Sequence, residues 1–222
     1  MSVSGAPNPA TVVAFDFDGT LTYCDTLLPF LRHAAGRARF WIGIARLTPT
    51  LVFLKAGFVS NEVAKERVLQ HFLSGWSRER LTHTAHDFAQ RGLPQLIDPK
   101  ALERLTAHVA DGDRVVIVTA SPEAVVAPWA ATVGIREVVG TRLAEHNGLL
   151  TGALEGRNCH GTEKMARLTL HVGALTGVRL VAYGDSAGDR ALLAAAHQGH
   201  FRAFHQPNAW WQRPWRFVRA LA

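Results

Sequence analysis

Three short apolar runs rich in β-branched and aromatic residues punctuate the chain: Val12 to Phe17, Val115 to Val118 and Leu180 to Tyr183. Each ends in a polar turn, the pattern of a buried parallel strand. Helix-start chemistry follows each run, with Gly19-Thr20, Ser121-Pro122-Glu123 and Gly184-Asp185-Ser186 leading into apolar helical segments. Strand, polar loop and helix in repetition predict an α/β core. In open parallel sheets ligands bind outside the carboxyl ends of the strands, and all three polar loops converge there.

Residues 21–109, between the first two runs, place apolar side chains at helical spacing, as at Ala64, Val68, Leu69, Phe72 and Leu73. The segment is expected to be a helical cap inserted after the first strand, which leaves residues 11–20 and 110–222 to the core. A smaller insertion is expected from Val138 to Gly156. There Asn147-Gly148 separates two partly apolar runs and predicts a β-hairpin with a type I′ turn.

Composition narrows the picture. At 222 residues and 48% hydrophobic, the chain is long enough for one full core domain, or for a core plus a small second module. A formal charge of +6 favours anionic partners, whether phosphate esters, acidic lipid or nucleic acid. Cys24 and Cys159 form no CxxC pair, so neither a disulfide framework nor a zinc site is expected, and a reduced cytoplasmic setting is the default. The eleven histidines make no HxxxH or HExxH spacing, only the HxxH pairs His83/His86 and His197/His200. Met1 to Ala10 lacks the basic run and apolar core of a secretory signal. The apolar stretch Phe40 to Val59 is interrupted by Arg46, Pro49 and Lys55, so no spanning helix is predicted. Trp210 to Arg219 mixes aromatics with arginines, and together with Phe40 to Val59 it raises peripheral contact with a membrane surface as an expectation. No nucleic-acid partner is expected, and nothing in the sequence speaks to oligomeric state.

Candidate chemistry begins with Asp16 and Asp18. Two apart at a strand end, they point into one space and repel. Asp185 and Asp189, after the later strand, add negative charge that a cation or a proton must compensate. Mg²⁺, a hard ion with oxygen ligands, suits such a set. Alone, Asp-Phe-Asp-Gly could be a strand-end turn, Lys164 a solvated helix residue and Thr119 a β-former. Order and placement change that reading. Phe15-Asp16-Phe17-Asp18-Gly19-Thr20-Leu21-Thr22, then Thr119, then Lys164, then Gly184-Asp185-Ser186-Ala187-Gly188-Asp189, together resemble the four motifs of the haloacid dehalogenase superfamily. Arg157 to Lys164 and the long helical cap resemble its subfamily IB, which includes phosphoserine phosphatase relatives and a bacterial phosphatidylglycerophosphatase.

The resemblance implies a Rossmann-like parallel core and a phosphomonoesterase. Asp16 would form an aspartyl-phosphate, and Asp18 would be general acid and base. Mg²⁺ would be held by Asp16, the backbone carbonyl of Asp18 and Asp185, with Asp189 bound through water or supporting from outside. Lys164, the Thr119 hydroxyl and the amide of Ala120 would clamp the phosphoryl oxygens. Asp25 and Arg67 fall where phosphoserine phosphatases place an acid and an arginine that grip the substrate, although Asp25 reads equally as a helix cap. Thr119-Ala120-Ser121 replaces the Ser-Gly-Gly of those enzymes, and Gly188 replaces an asparagine. Phosphoserine, a phospholipid head group, a sugar phosphate and a nucleotide therefore stay open as small-molecule substrates. Two alternatives stand beside hydrolysis: a phosphotransferase using the same intermediate, and a non-catalytic module binding lipid or protein.

Overall fold

A computed structural model of the chain describes residues 11–204 apart from 56 and 59. Five parallel strands form the central sheet: β1 (Thr11–Phe15), β2 (Arg114–Pro122), β3 (Glu137–Thr141), β6 (Arg179–Gly184) and β7 (Gln198–Phe201), in the order β3-β2-β1-β6-β7. Alternation along the strands divides the core. Val12, Ala14, Val116, Val118, Leu180 and Ala182 face α7 (Thr162–Val172) and α8 (Arg190–Ala195) through Leu168 and Leu192. Val13, Phe15, Val115, Ile117, Val181 and Tyr183 face the other way, into a larger cluster that runs on into the inserted helices. The α/β core with a helical insertion is therefore the fold the apolar pattern predicts.

Strand limits differ from the expected ones for local reasons. β1 ends at Phe15, not Phe17. Asp16 still donates its amide to Tyr183 O at 2.9 Å, but Phe17 O then accepts the amides of Thr20, Leu21 and Thr22, and the chain turns. β2 runs through Pro122, past the expected helix start, and α6 (Glu123–Thr132) begins one residue later. Val138 and Val139, expected to open the second insertion, pair instead with Ile117 and Val118 in the main sheet. The hairpin proper is β4 (Leu143–His146) and β5 (Leu149–Leu154). Its turn has Asn147 at φ 51° and Gly148 at φ 76°, both left-handed as type I′ requires.

Among the described residues the insertion is made of four α-helices, α1 (Leu27–Ala35), α2 (Arg37–Lys55), α3 (Asn61–Leu73) and α4 (Arg78–Arg91), and a short 3-10 turn at Leu93–Gln95. Ser60 and Ser77 cap α3 and α4 by accepting the amides of Val63 and Arg80. The chain enters and leaves through a paired neck, in which Thr22 bridges Ile97, Tyr23 N donates to Leu96 O at 2.8 Å and Asp98 N donates to Leu21 O at 2.9 Å. Beyond the neck, α5 (Pro99–Ala110) packs on the sheet, where His108 Nε2 lies 3.0 Å from Tyr183 Oη. Among the described residues no helix is long and apolar enough to cross a membrane. Met1 to Ala10 and the aromatic, arginine-rich segment Trp210 to Arg219 lie outside the described residues.

The hairpin joins cap to core: Leu150 exchanges backbone hydrogen bonds with Gly75 and Trp76, each at 2.8 Å, and β5 lies along α3. At Gly152, φ is +83° and a Cβ would come 2.3 Å from the Gln70 Cα. Gly152→Ala is expected to cost about 3 kcal/mol or more, from overpacking added to a left-handed backbone. Gly112→Ala, equally left-handed but facing open space, should cost about 1–2 kcal/mol. Urea unfolding of the two variants checks the difference.

Candidate active site

The three loops meet at the carboxyl ends of β1, β2 and β6, with the first turn of α7 closing the floor. The deepest groups are ionic. Lys164 Nζ, buried in that first turn, lies 2.5 Å from Asp16 Oδ1 and 2.6 Å from Asp189 Oδ1. Asp16 Oδ2 accepts from Thr20 Oγ1 at 3.3 Å. The other oxygen of Asp189 accepts from Ser186 Oγ at 2.8 Å and from the amides of Ser186 and Asp185 at 2.9 and 3.2 Å, so Asp189 fixes the loop that carries Asp185.

Asp18 is held differently. Its Oδ1 accepts from the Thr26 amide at 2.7 Å and the Thr26 hydroxyl at 2.6 Å, and its Oδ2 accepts from Ser121 Oγ at 2.6 Å. Thr119 is fully buried; its hydroxyl accepts the Ser121 amide at 2.9 Å and reaches Asp18 Oδ2 at 3.5 Å. Asp16, Asp18, Ala120, Lys164 and Asp185 all line one cavity of about 780 Å³ between core and cap. Asp25 also lines it. Its carboxylate accepts the Leu27 amide, the first of α1, at 2.9 Å, although the N-cap position itself is Thr26.

Arg67 is not brought to the cavity. It points to the other side of α3, where Nη1 donates to Thr50 of α2 at 3.2 Å. The cavity-facing positions of α3 are Asn61, Ala64, Lys65 and Val68, at helical spacing. Lys65 Nζ donates to Ala120 O and, at 2.9 Å, to Asn158 Oδ1. Sequence reasoning passed over Lys65 and Thr26, and it read Ser121 only as a helix start and Asn158 only as part of the Arg157 to Lys164 segment. The signal for Lys65 was its place on the face opposite Arg67.

Charge balance defines what the floor can do. Asp16, Asp185 and Asp189 each bring a carboxylate oxygen within 4.8 Å of the others, all three are buried, and Lys164 is the ammonium among them. An all-oxygen, negatively charged set fits a hard divalent cation. Gly19 makes the set possible: at φ +79°, a Cβ there would meet Asp185 Oδ2 at 2.6 Å.

A family model described as haloacid dehalogenase-like hydrolase matches residues 13–194. The chain belongs to that family. This hydrolase is 39% identical over 195 residues to "Protein CicA" of Caulobacter vibrioides, covering 87% of the chain and 86% of the relative. It is 34% identical over 201 residues to a phosphoserine phosphatase of Halobacterium salinarum, covering 84% and 82%. A solved Bordetella pertussis protein described as of unknown function superposes with a TM-score of 0.72 at 25% identity, over 84% of this chain and 87% of that one.

Electrostatics sharpen the site of the hydrolase. Burial, opposed by Lys164 and reinforced by Asp189 and Asp18, pushes the Asp16 carboxyl up to about 7. Burial works against the Lys164 charge as well, but Asp16 and Asp189 more than offset it and hold the ammonium above its ordinary range. Burial lowers Lys65, with Asp18 and Asp25 opposing. Asp25, which lines the cleft while remaining exposed at its mouth, is pushed up to about 6 by desolvation and then by the neighbouring Asp18 charge. Burial also raises both free thiols, Cys24 to about 12 and Cys159 to about 11, so both stay protonated and unreactive near neutrality.

Two outcomes follow from this geometry. Gly19→Ala should push Asp185 aside and weaken divalent-cation binding about 10–100-fold, measurable by calorimetric titration. In metal-free protein, Asp16 binds its proton more tightly folded than unfolded. Its contribution to stability is therefore complete below the unfolded value of 3.8 and is lost as pH rises through about 7. Thermal unfolding in chelator should show wild type losing stability across that window relative to Asp16→Asn, which cannot titrate there.

Proposed function

We propose that this chain is a magnesium-dependent phosphomonoester hydrolase that works through an aspartyl-phosphate on Asp16. The observation that carries the reading is the pairing of two unlike carboxylates on one cavity floor. Asp16 is buried against an ammonium, whereas Asp18 is half-buried and held by hydroxyls and an amide. Two acids in unlike surroundings suit two roles: burial favours the proton on Asp16 in the metal-free protein, and the cation's charge would restore the ionised carboxylate that attacks, leaving Asp18 to carry the proton. Membership of a hydrolase family, with a relative named phosphoserine phosphatase, supports the same reaction class.

In this reading an Asp16 oxygen attacks phosphorus, forming an O–P bond as the bond to the leaving oxygen breaks. Asp18 gives its proton to that oxygen and later takes one from the water that hydrolyses the intermediate, restoring Asp16 and releasing inorganic phosphate. Lys164 holds Asp16 in place and, with the Ala120 amide, is assigned to the phosphoryl oxygens. Thr119 is assigned to Asp18, whose oxygen and whose partner Ser121 it touches. Asp16, Asp185 and the Asp18 carbonyl would hold Mg²⁺, with Asp189 anchoring their loop and Lys164. Bound there, Mg²⁺ supplies positive charge that offsets the phosphate's and brings it to the nucleophile.

The cap side of the cavity sets the substrate class. Leu27, Leu28, Ala64 and Val68 give an apolar wall, and Asp25, Asn61 and Lys65 give polar contacts to a leaving group. A small organic phosphomonoester carrying an anionic or zwitterionic part fits, and phosphoserine is the first to test.

Phosphate release across phosphoserine, sugar phosphates, nucleotides and lipid head-group phosphates tests the proposal. Wild type should release phosphate from at least one of them with Mg²⁺ and stop with EDTA. Asp16→Asn should fall to background on all, and Asp18→Asn should lose about 10²–10⁴-fold. Persistent hydrolysis by Asp16→Asn would sink the reading.

A further inference from the structure

Helix α2 is apolar on two opposite faces. Phe40, Gly43, Leu47 and Thr50 are buried in the cap, where a Cβ on Gly43 would strike Phe72 and His71. At about 100° per residue, the opposite side carries Trp41, Ile42, Ala45, Pro49, Val52 and Phe53, all exposed. Trp41, Ile42, Val52 and Phe53 keep between 45% and 58% of their surface open, and Phe58, whose ring meets Phe53 edge-on, keeps 80%. A monomeric surface seldom shows so many large apolar side chains in one stripe.

The flanks of the stripe are cationic. The same helical spacing puts Arg39 and Arg46 along one border and Arg37 on the other, all three exposed. Residues 37–61 contain no aspartate or glutamate. We propose that this face of α2 docks the protein on an anionic lipid bilayer, with Trp41, Ile42, Val52 and Phe53 in the interface and the arginines on the lipid phosphates. An apolar stripe between basic borders is the arrangement of a helix lying in the plane of a membrane surface. Charge selects this occupant over the others. A second copy of the chain would bring arginine against arginine, and Trp210 to Arg219 carries Arg213, Arg216 and Arg219 with no acid.

The inference does not rest on the catalytic reading, because Asp16→Asn should bind lipid as wild type does. Co-sedimentation with phosphatidylcholine vesicles containing about one-third phosphatidylglycerol, at low salt, tests it. Wild type and Asp16→Asn should pellet with these vesicles and stay in solution with pure phosphatidylcholine. Arg39→Gln with Arg46→Gln, which leaves the apolar residues in place, should weaken binding about 30-fold, at roughly 1 kcal/mol per charge. Trp41→Ser with Phe53→Ser should abolish it while thermal unfolding stays cooperative. Wild type that fails to bind, or variants of either pair that bind as wild type does, would overturn the proposal. So would self-association, or capture of an acidic protein, that depends on Trp41 and Phe53 when no vesicle binding is seen.

Discussion

The buried contact of Lys164 with Asp16 and Asp189 is the constraint on which the site depends. One ammonium spans the end of the first strand and the loop after the later one, and it comes from the first turn of a third element. An ion pair removed from water is strongly coupled to both partners, and taking one away leaves the others charged and unsatisfied. Lys164 therefore sets the spacing of the β1 and β6 loops. Gly19 allows the approach, because no side chain stands between that turn and Asp185. Together they leave a floor with more carboxylates than ammonium groups, a charge balance that a cation would suit.

Much of this was legible in the chain. Val12, Val116 and Leu180 belong to apolar runs that could only be buried strands once a parallel sheet was assumed, and polar loops at their carboxyl ends had to converge. Asn147-Gly148 announced its turn because few other dipeptides tolerate two left-handed residues in succession. The boundaries were less legible. Phe17 is as apolar as Phe15, and only the three amides gathered on its carbonyl show that the strand has already ended. Val138 and Val139 read as the start of an insertion because pairing with Ile117 and Val118 is a long-range event that no local pattern records.

The cap shows the same limit in its side chains. Lys65 and Arg67 are two residues apart on α3 and point to different sides of it, so choosing between them needs the rotation of the helix about its axis. That rotation is set by Ala64, Val68, Leu69 and Leu73, which are buried, and by Thr50 of α2, which receives Arg67. Glu62 and Glu66 then accept the amides of Asn158 and Leu154, and Lys65 joins Asn158 and Ala120, so that one helix is fastened to the core along its length.

Thr26 stands just past the neck, on the cap side, and binds Asp18 with both its amide and its hydroxyl. Core and cap thus share custody of one carboxylate, with Ser121 holding its other oxygen from the sheet. A swing of the cap about Thr22 and Ile97 would have to carry Asp18 along or release it, so the width of the chamber's mouth and the setting of that carboxylate are geared to one neck.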